Sequence, residues 1–324
     1  LSANGRVRMK KWLMPSLAAI AVVIFTLWLL RPSAGPAVTV YVSHDQVFSE
    51  PILSDFEKDT GIRVHAVYDT EESRSTGAMN RLIAERDNPQ ADVYWANEPI
   101  RAEVLRQRGI AAPYISPNAS GIPSNFKDSS GYWTGFAARA RVFILNKDAA
   151  AKPTSIHAYT DPQWRGKSAI ANPLFGTTTT EIAALFVLWG DERAQAFMHD
   201  IKNNGVKLSP SNGDSADLVA RGEFSFSLVD SDDVVSRMRQ SQPVELIYPD
   251  QEANEIGCLV VPNAVMLIAG APHPDLGKRL IDYLLSKETE AKLARSDAAQ
   301  IPLHSDVPGP PELRSIDEIG RAHV

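Results

Sequence analysis

The chain has 324 residues, of which 44% are hydrophobic and 22% charged; this composition is typical of compact globular proteins and excludes a disordered or fibrous chain. At roughly 100 to 200 residues per domain, the length predicts two domains or two lobes. The formal net charge is −6, but residues 1–36 hold five basic residues and no acid, which leaves 28 bases against 39 acids in the rest. This acidic body argues against nucleic acid as the main partner.

The number of cysteines excludes further kinds of bond and metal site. Cys258 is the only cysteine, so the chain has no internal disulfide and no metal site built from several thiolates. The apolar residues 259–261 after it predict a buried, inert thiol in a strand. A reactive or lipid-carrying thiol is the alternative.

Both ends of the chain differ from a globular domain. Residues 12–30 carry no charge, and as a helix at about 1.5 Å per residue they would span roughly 29 Å, the thickness of a bilayer core. Lys10 and Lys11 precede this run, which predicts export of the downstream chain, with the run as a signal peptide or, by a small preference, an uncleaved anchor. Residues 318–324 can be back-translated to a common sequencing adapter, so we interpret them as an artefact and expect them to be disordered.

Between these ends, strand-like and helix-like segments alternate, which predicts a parallel sheet covered by helices. The first unit reads strand, helix, strand, helix, strand, helix over residues 38–42, 48–59, 62–67, 76–87, 91–95 and 100–107. The second unit reads strand, helix, helix, strand, apolar strand segment and closing amphipathic helix over residues 135–146, 180–189, 193–203, 224–229, 256–268 and 274–294.

Five short segments together carry a family resemblance: residues 38–44 (VTVYVSH), 91–98 (ADVYWANE), 164–167 (WRGK), 172–178 (NPLFGTT) and 220–223 (ARGE). They resemble type II periplasmic binding proteins of ABC transporters, in the branch that includes ferric-ion-binding proteins. The resemblance implies an α/β fold of two lobes joined by hinge strands. It also implies that a small ligand is held in the cleft between the lobes and released to a membrane permease.

The resemblance, which covers about residues 37–305, sets the expected domain organisation. Lobe 1 is expected at residues 37–140 with a return at 255–305, and lobe 2 at residues 141–254. The N-terminal hydrophobic helix would precede them, and residues 306–324 would form a tail. We expect a monomer on the periplasmic or extracellular face of the cytoplasmic membrane, either secreted or anchored.

Ligands in open α/β sheets bind beyond the carboxyl ends of the strands. This rule points to four loops, at residues 43–47, 96–98, 175–179 and 230–233. Each loop holds polar side chains whose ligand role competes with an ordinary role at the start of a helix.

The first two loops offer Ser43 and His44, then Asn97 and Glu98. The resemblance to ferric-binding proteins implies a ligand-contacting polar group or a metal-binding histidine at the first loop and a carboxylate ligand at the second, where Asn97 could add its amide. The alternatives are a solvated turn that caps the helix starting near residue 48, and an acid that complements a helix dipole.

Gly176, Thr177 and Thr178 precede an apolar helical segment. Their backbone N–H groups and hydroxyls would converge at a helix N-terminus, which is a favourable place for an anion. The resemblance assigns an anion-holding role to this loop and an anion-contact position to Asn212. Ordinary capping by one threonine is the alternative.

Arg139 and Arg141 lie in the long strand predicted at residues 135–146. Either one could add charge-assisted hydrogen bonds to a bound anion. We expect only one of them to face the cleft, because side chains alternate along a strand.

Asp230, Asp232 and Asp233 end a predicted strand, at the place where the ferric-binding proteins that the chain resembles carry two tyrosines. The tyrosines are missing here, which departs from that pattern. Carboxylate oxygens could still bind a hard cation, such as ferric ion with a synergistic anion, or an ammonium group. Metal ligands would then come from Asp232 and Asp233 and, by resemblance, from His44 and Glu98; N-capping of the next helix is the alternative.

These features predict a solute receptor for an ABC importer, which binds without performing chemistry. Its ligand would be a metal ion with an anion, or a phosphorylated or zwitterionic organic solute. The motifs of phosphate-loop, Gly-x-Ser-x-Gly, zincin and dinucleotide enzymes are missing from the sequence. An anchored extracellular enzyme that pairs Asp232 or Asp233 with Glu98 as acid and base is the main alternative, and a sensory ligand-binding ectodomain is the third.

Overall fold

The structure is a computed structural model that describes residues 35–69, 76–319 and 322–323. The charge-free run predicted to cross or enter a membrane, at residues 12–30, lies outside the described residues. Within the described part of the chain, no helix is both long and apolar enough to cross a bilayer.

Eleven strands form a mixed sheet in the described residues. They are β1 (Ala37–Val42), β2 (Arg63–Tyr68), β3 (Val93–Ala96), β4 (Ala111–Ala112), β5 (Thr134–Asn146), β6 (Ser168–Ala171), β7 (Lys207–Ser209), β8 (Phe226–Asp230), β9 (Val244–Ile247), β10 (Cys258–Ile268) and β11 (Ala322–His323). The main path runs β2-β1-β3-β10-β5-β8-β6-β7; β4 and β11 pair with β10, and β9 pairs with β5.

Nine α-helices of the described residues cover this sheet. They are α1 (Gln46–Thr60), α2 (Thr76–Ala84), α3 (Pro99–Gln107), α4 (Gly176–Trp189), α5 (Asp191–Asn203), α6 (Asn212–Ala220), α7 (Ser231–Arg239), α8 (Pro274–Leu284) and α9 (Lys287–Arg295). Strands and helices alternate in each half of the chain, so the predicted α/β class agrees with the structure.

The main path of the sheet is parallel only at its two ends, where β1 lies between β2 and β3 and where β6 lies between β7 and β8. Off this path, β11 pairs in parallel with β10. In the middle, β10 runs antiparallel to β3 and to β5, and β5 runs antiparallel to β8. The prediction of a parallel sheet is therefore wrong for the two long strands. Strand β5 serves both halves and β10 returns the chain to the first, which a βαβ pattern does not reveal.

Strand β5 divides the sheet into two halves. Its residues up to Ala140 pair with β10, and its residues from Arg141 onward pair with β8 and β9. The register of β10 against β5 shifts between Pro262 and Asn263. A strand that serves both halves is a suitable hinge, and the lobe boundaries expected from the sequence remain a prediction.

The core forms where apolar strand residues meet the helices. Trp95 and Phe136 are fully buried with ring centroids 5.4 Å apart, and Phe56 of α1 is fully buried in the same core cluster. Cys258 is 2% exposed at the start of β10, and burial raises the pKa of its thiol to about 12. The prediction of a buried, inert cysteine in a strand is confirmed.

Two predictions near the C-terminus are wrong. The single helix predicted at residues 274–294 is divided, because Ser286 leaves the helix and caps α9 by accepting a hydrogen bond from the backbone N–H of Thr289. The last residues are not wholly disordered: Ile319 is buried in the core, and Ala322–His323 pair with the start of β10, before its pairing with β5 begins at Val260. The interpretation of residues 318–324 as an artefact stays a prediction.

Candidate functional site: a cleft with an anion wall and an acid wall

Two adjoining cavities lie where the loops at the strand ends meet. The helix-end cavity, of about 420 Å³, is lined by residues around the N-termini of α4, α6 and α7. The ring-lined cavity, of about 470 Å³, lies between the segment 43–48 and α7. Asp45, Asp232 and Asp233 line both cavities, and we call these three the shared acids.

The helix-end cavity receives the first turn of α4. Gly176 adopts a φ of 59°, and the N-cap position holds Phe175, whose side chain offers no oxygen to the helix N–H groups. The N–H groups of the first turn and the positive end of the helix dipole therefore remain available to an anion. Gly176 and Thr178 line the cavity, and no threonine side chain caps α4. The anion-holding role of this loop stays a prediction.

Asn212 reaches the same cavity from the start of α6. Ser211 caps this helix by accepting a hydrogen bond from the N–H of Asp214 at 3.1 Å, which leaves the Asn212 amide to face its neighbours. The amide nitrogen of Asn212 donates to Thr177 Oγ1 at 2.9 Å, and its oxygen accepts from Thr178 Oγ1 at 3.2 Å. The predicted residues Thr177, Thr178 and Asn212 are thus brought together, although Thr177 itself is buried behind the lining.

A buried ion pair supports this wall from below. Arg141 is 1% exposed, and its Nη1 donates to Asp230 Oδ1 at 2.9 Å. Thr177 Oγ1 also donates to Asp230 Oδ2, at 2.8 Å. Burial alone would raise the pKa of Asp230, but the guanidinium groups of Arg141 and Arg139 outweigh burial and lower it. Asp230 holds the N-cap position of α7, yet its carboxylate is used in this network and makes no cap bond.

Of the two arginines, only Arg139 lines the helix-end cavity, and Arg141 is buried beneath it; the expectation that one of them would face the cleft agrees with the structure, but side-chain alternation is not the reason. Residues two apart on a strand point to the same face, and Arg139 Nη1 accordingly lies 3.9 Å from Asp230 Oδ2. Arg139 lines the helix-end cavity although it is only 5% exposed. Its Nη2 donates to the carbonyl of Asn97, while its Nε is buried and finds no hydrogen-bond partner among the described residues.

Acidic side chains line the same cavity beside this wall. One oxygen each from Asp230, Asp232 and Asp233 lie within 4.8 Å of one another, the only such group of three or more ligand residues in the described part of the chain. Burial, followed by the charge of Asp233, raises the pKa of Asp232 well above its usual range. Burial and the charge of Asp230 raise the pKa of Asp233 to about 7. The site therefore favours a positively charged occupant, which would lower both pKa values.

Ser43 and His44 line the ring-lined cavity. The hydroxyl of Ser43 donates to Asp69 at 3.0 Å and shares a 2.9 Å hydrogen bond with the Tyr94 hydroxyl. The ring of His44 stacks on that of Trp95 with centroids 5.6 Å apart. The role of His44 as a metal ligand stays a prediction, because His44 is not part of the acid group described above.

Asn97 and Glu98 line neither cavity. Glu98 is fully buried and caps α3, where its carboxylate accepts hydrogen bonds from the N–H groups of Ile100 at 2.7 Å and Arg101 at 3.1 Å. Burial raises the pKa of this carboxyl. The geometry favours the helix-end alternative for Glu98, and Asn97 acts through its carbonyl, which holds Arg139.

Several lining residues were missed or underrated in the sequence. Tyr68 and Asp69 lie at the end of β2, where the rule on strand ends would have identified them. Phe48 lies in the first turn of α1. No sequence motif around these three residues indicated a binding role. Ser211 and Asp214 form a Ser-x-x-Asp pattern that marks a helix start. That pattern would have placed a second helix N-terminus beside the first.

Comparisons with known proteins identify the family and the fold. The description "bacterial extracellular solute-binding protein" belongs to the family that matches residues 52–315. A putative 2-aminoethylphosphonate-binding periplasmic protein of Salmonella typhimurium is 28% identical, over 85% of this chain and 81% of its own. Iron uptake protein A1 of Synechocystis is 24% identical, over 90% of this chain and 85% of its own.

Among solved structures, iron-bound HitA from Pseudomonas aeruginosa superposes with a TM-score of 0.80 at 21% identity, covering 89% of this chain and 93% of its own. This similarity confirms the predicted two-lobed periplasmic-binding fold. The match over residues 52–315 settles the family. The chain belongs to the bacterial extracellular solute-binding proteins.

Proposed function

We propose that this chain binds a small zwitterionic organophosphorus solute, with a phosphonate or phosphate at one end and an ammonium group at the other, and delivers it to the permease of an ABC importer. The role as substrate-binding component follows from the family and from relatives that serve import systems. The proposal adds the class of the ligand to this role. It fits the name of the Salmonella relative, which refers to 2-aminoethylphosphonate.

The observation that carries the proposal is Arg139. A guanidinium that is 5% exposed, with a buried Nε that lacks a partner in the described residues, lines a cavity that also receives the N-terminus of α4. A buried donor without a partner costs free energy, and an anion in the cavity would remove that cost. Helix N–H groups and a guanidinium are the donors that phosphate-like anions prefer.

The shared acids would bind the ammonium end of the solute. Asp232 and Asp233 sit at the first turn of α7 and face the same cavity as Arg139. Burial, and after it the neighbouring carboxylates, raise the pKa of both carboxyls, so their charged forms are disfavoured in the ligand-free protein. An ammonium group between them would provide that charge.

A hard cation with a synergistic anion is the second candidate. The grouping of Asp230, Asp232 and Asp233 within 4.8 Å favours it, as does the iron uptake relative. Against it, Asp230 is already held by Arg141 and Thr177, and Tyr68 is the only tyrosine of the described residues in either lining. Carboxylates alone would have to replace the phenolates of the family pattern.

The same proposal includes the location of the protein outside the cytoplasm, its permease partner and the release of the ligand without a reaction. The relatives in the comparisons are transport proteins and not enzymes, and several are periplasmic. The basic residues and charge-free run of the N-terminal segment support export with a leader or anchor. We expect a monomer that releases its ligand unchanged, and chromatography of the ligand recovered after binding would reveal turnover if the chain were an enzyme.

Calorimetric titration of the purified full chain with 2-aminoethylphosphonate tests the proposal. We expect binding, and Arg139→Gln should weaken it by about tenfold or more, because a hydrogen bond to a charged group is worth roughly 1.5 to 3 kcal/mol. Arg165→Gln, at an exposed arginine that lines neither cavity, is the matched control. Binding of ferric ion with citrate, without any response to 2-aminoethylphosphonate or to phosphate esters of amines, would support the hard cation instead.

A further inference from the structure

The ring-lined cavity extends the site beyond the shared acids. Its volume of about 470 Å³ is as large as that of the helix-end cavity. Because Asp45, Asp232 and Asp233 line both spaces, a solute whose anionic end lies at α4 reaches the ring-lined cavity with its cationic end. A short primary ammonium would be satisfied at the shared acids. The second cavity therefore bears on the size and chemistry of the cationic end.

Three aromatic rings contribute to the walls of this cavity: His44, Phe48 and Tyr68. The His44 ring is fixed by stacking on Trp95, by Gln300 Nε2 at 3.2 Å from its Nε2, and by Phe48 with centroids 6.0 Å apart. Burial raises the pKa of Tyr68 to about 12, so its ring is a neutral phenol at physiological pH. All three rings belong to the lining of the cavity, where an occupant would contact them.

The remaining lining favours positive charge. Asp69 and Asp297 add carboxylates to the walls. Arg237 also lines the cavity, but its Nη2 lies 2.8 Å from Asp217 Oδ1 and its Nη1 lies 3.6 Å from Asp233 Oδ1, so its charge is compensated by protein acids. The combination is aromatic faces with carboxylates nearby.

Such a combination distinguishes two kinds of ammonium group. A primary ammonium is compact, strongly hydrated and needs hydrogen-bond acceptors around it. A methylated ammonium has fewer or no N–H groups to satisfy, exposes apolar methyl groups, and is stabilised by ring faces and by carboxylates that need not touch it. The ring-lined cavity supplies both aromatic rings and carboxylates.

We propose that the natural solute carries a methylated or otherwise alkylated ammonium, which lies in the ring-lined cavity while its phosphonate or phosphate lies at α4. This inference rests on the proposed function, since it assumes an anionic end at Arg139. It adds the class of the cationic end and assigns Phe48 and Tyr68 as the residues that select it.

Titration of the full chain with phosphocholine and with phosphoethanolamine tests this proposal, because the two probes differ only in three methyl groups. We expect phosphocholine to bind about tenfold more tightly. Equal affinity, or tighter binding of phosphoethanolamine, would overturn the inference while leaving the proposed function intact. Failure of both probes and of 2-aminoethylphosphonate would overturn the proposed function and the inference with it.

Ring removal provides the second arm. Phe48→Leu and Tyr68→Leu keep apolar volume but remove the ring faces, and each should reduce the preference for phosphocholine at least threefold with little change for phosphoethanolamine. Tyr114→Leu, at a tyrosine outside both cavities that bonds to Asp282, is the control for general effects of losing a ring. An unchanged preference in both cavity variants, with the proteins still folded by thermal unfolding, would contradict the assigned residues.

Discussion

Glu290 in α9 is a buried carboxylate and Asp232 and Asp233 in α7 are half-buried ones, and the protein treats them differently. Glu290 accepts the N–H groups of Ala137 at 2.8 Å, Leu303 at 2.9 Å and His304 at 3.0 Å. The pair in α7 has no comparable set of donors, and its two carboxylates stand close to one another. The difference separates an acid that stabilises the fold from acids that we propose bind the ligand.

The pKa values follow this difference. Burial alone would raise the pKa of Glu290, but its bonds to His304 and to three backbone N–H groups outweigh burial and lower it. His304 donates from Nδ1 to Glu290 and from Nε2 to the carbonyl of Asn118, which fits a protonated ring with a raised pKa. Asp233, which lacks such donors, has a pKa raised to about 7. Burial alone thus does not set the sign; the partners do.

Removal of the Glu290 carboxylate should produce the largest effect. Glu290→Ala would leave three buried N–H groups and the His304 ring without their acceptor, and we expect a loss of about 3 to 5 kcal/mol in the free energy of unfolding. Urea denaturation measures this loss. Glu288→Ala, at an exposed acid of the same helix, should cost less than about 0.5 kcal/mol; equal losses in the two variants would contradict the comparison.

The acid pair of α7 should respond in the opposite way. Asp232→Asn and Asp233→Asn each remove a charge that the ligand-free protein holds at a cost, so we expect unchanged or slightly higher thermal stability without ligand. Affinity for 2-aminoethylphosphonate should fall by about tenfold or more, because the ammonium loses a charge-assisted partner. Thermal unfolding with and without the ligand measures both quantities.

Asp275→Asn is the matched control for these variants, since the Asp275 side chain is 91% exposed and pairs at the surface with Lys278. It should change neither the stability nor the ligand-induced shift in the unfolding temperature. If both cleft variants kept the ligand-induced shift in the unfolding temperature, the cationic end of the solute would not bind at α7.

The comparison also shows what the sequence could and could not predict. Asp230, Asp232 and Asp233 were found because acids at the end of a strand meet other loops at the same edge of a sheet. The sequence did not show which of these carboxylates is hydrogen-bonded by the protein itself, because Arg141 and Thr177 lie 89 and 53 residues before Asp230 in the chain. Strand order decides those contacts, and the antiparallel return of β10 was not predictable from local periodicity.

Glu98 illustrates a second limit. The residue before Pro99 at the start of a helix has the sequence signature of a cap, and the structure agrees with that alternative. The resemblance to ferric-binding proteins favoured a ligand role instead. Short strands such as β6, β7 and β9 were missed for a related reason: three or four residues carry too little periodicity to be recognised.

The pH dependence of binding sharpens the comparison further. Because the pKa of Asp233 is about 7 and that of Asp232 is raised, the acid pair holds a proton below neutral pH that an ammonium ligand must displace. Affinity should therefore rise from pH 6 to pH 8, by at most about tenfold per pH unit for each proton released. Calorimetry with 2-aminoethylphosphonate measures this slope, and ethylphosphonate, which lacks the ammonium, should give a smaller one.

The same groups affect stability with the opposite sign. In the ligand-free protein the raised pKa values mean that the native state holds protons which the unfolded chain loses, so this contribution to stability declines as pH rises from about 4 toward 7. Glu290, whose pKa is lowered, contributes stability above its ordinary value and loses it as pH falls through the lowered one. Asp233→Asn should flatten the first slope; an unchanged slope would show that Asp233 does not carry it.

Ser43 tests the distinction inside the cleft and should show the smallest change in affinity. Its hydroxyl lines the ring-lined cavity, but its hydrogen bonds go to Asp69 and to the buried Tyr94 hydroxyl. Ser43→Ala should therefore lower the free energy of unfolding by about 1 kcal/mol and change the affinity for 2-aminoethylphosphonate by less than about threefold. Tyr94→Phe, which removes the other hydroxyl of the pair, should reproduce this pattern. A tenfold loss of affinity in Ser43→Ala at unchanged stability would instead place the Ser43 hydroxyl among the groups that the solute contacts, as the resemblance to ferric-binding proteins implies.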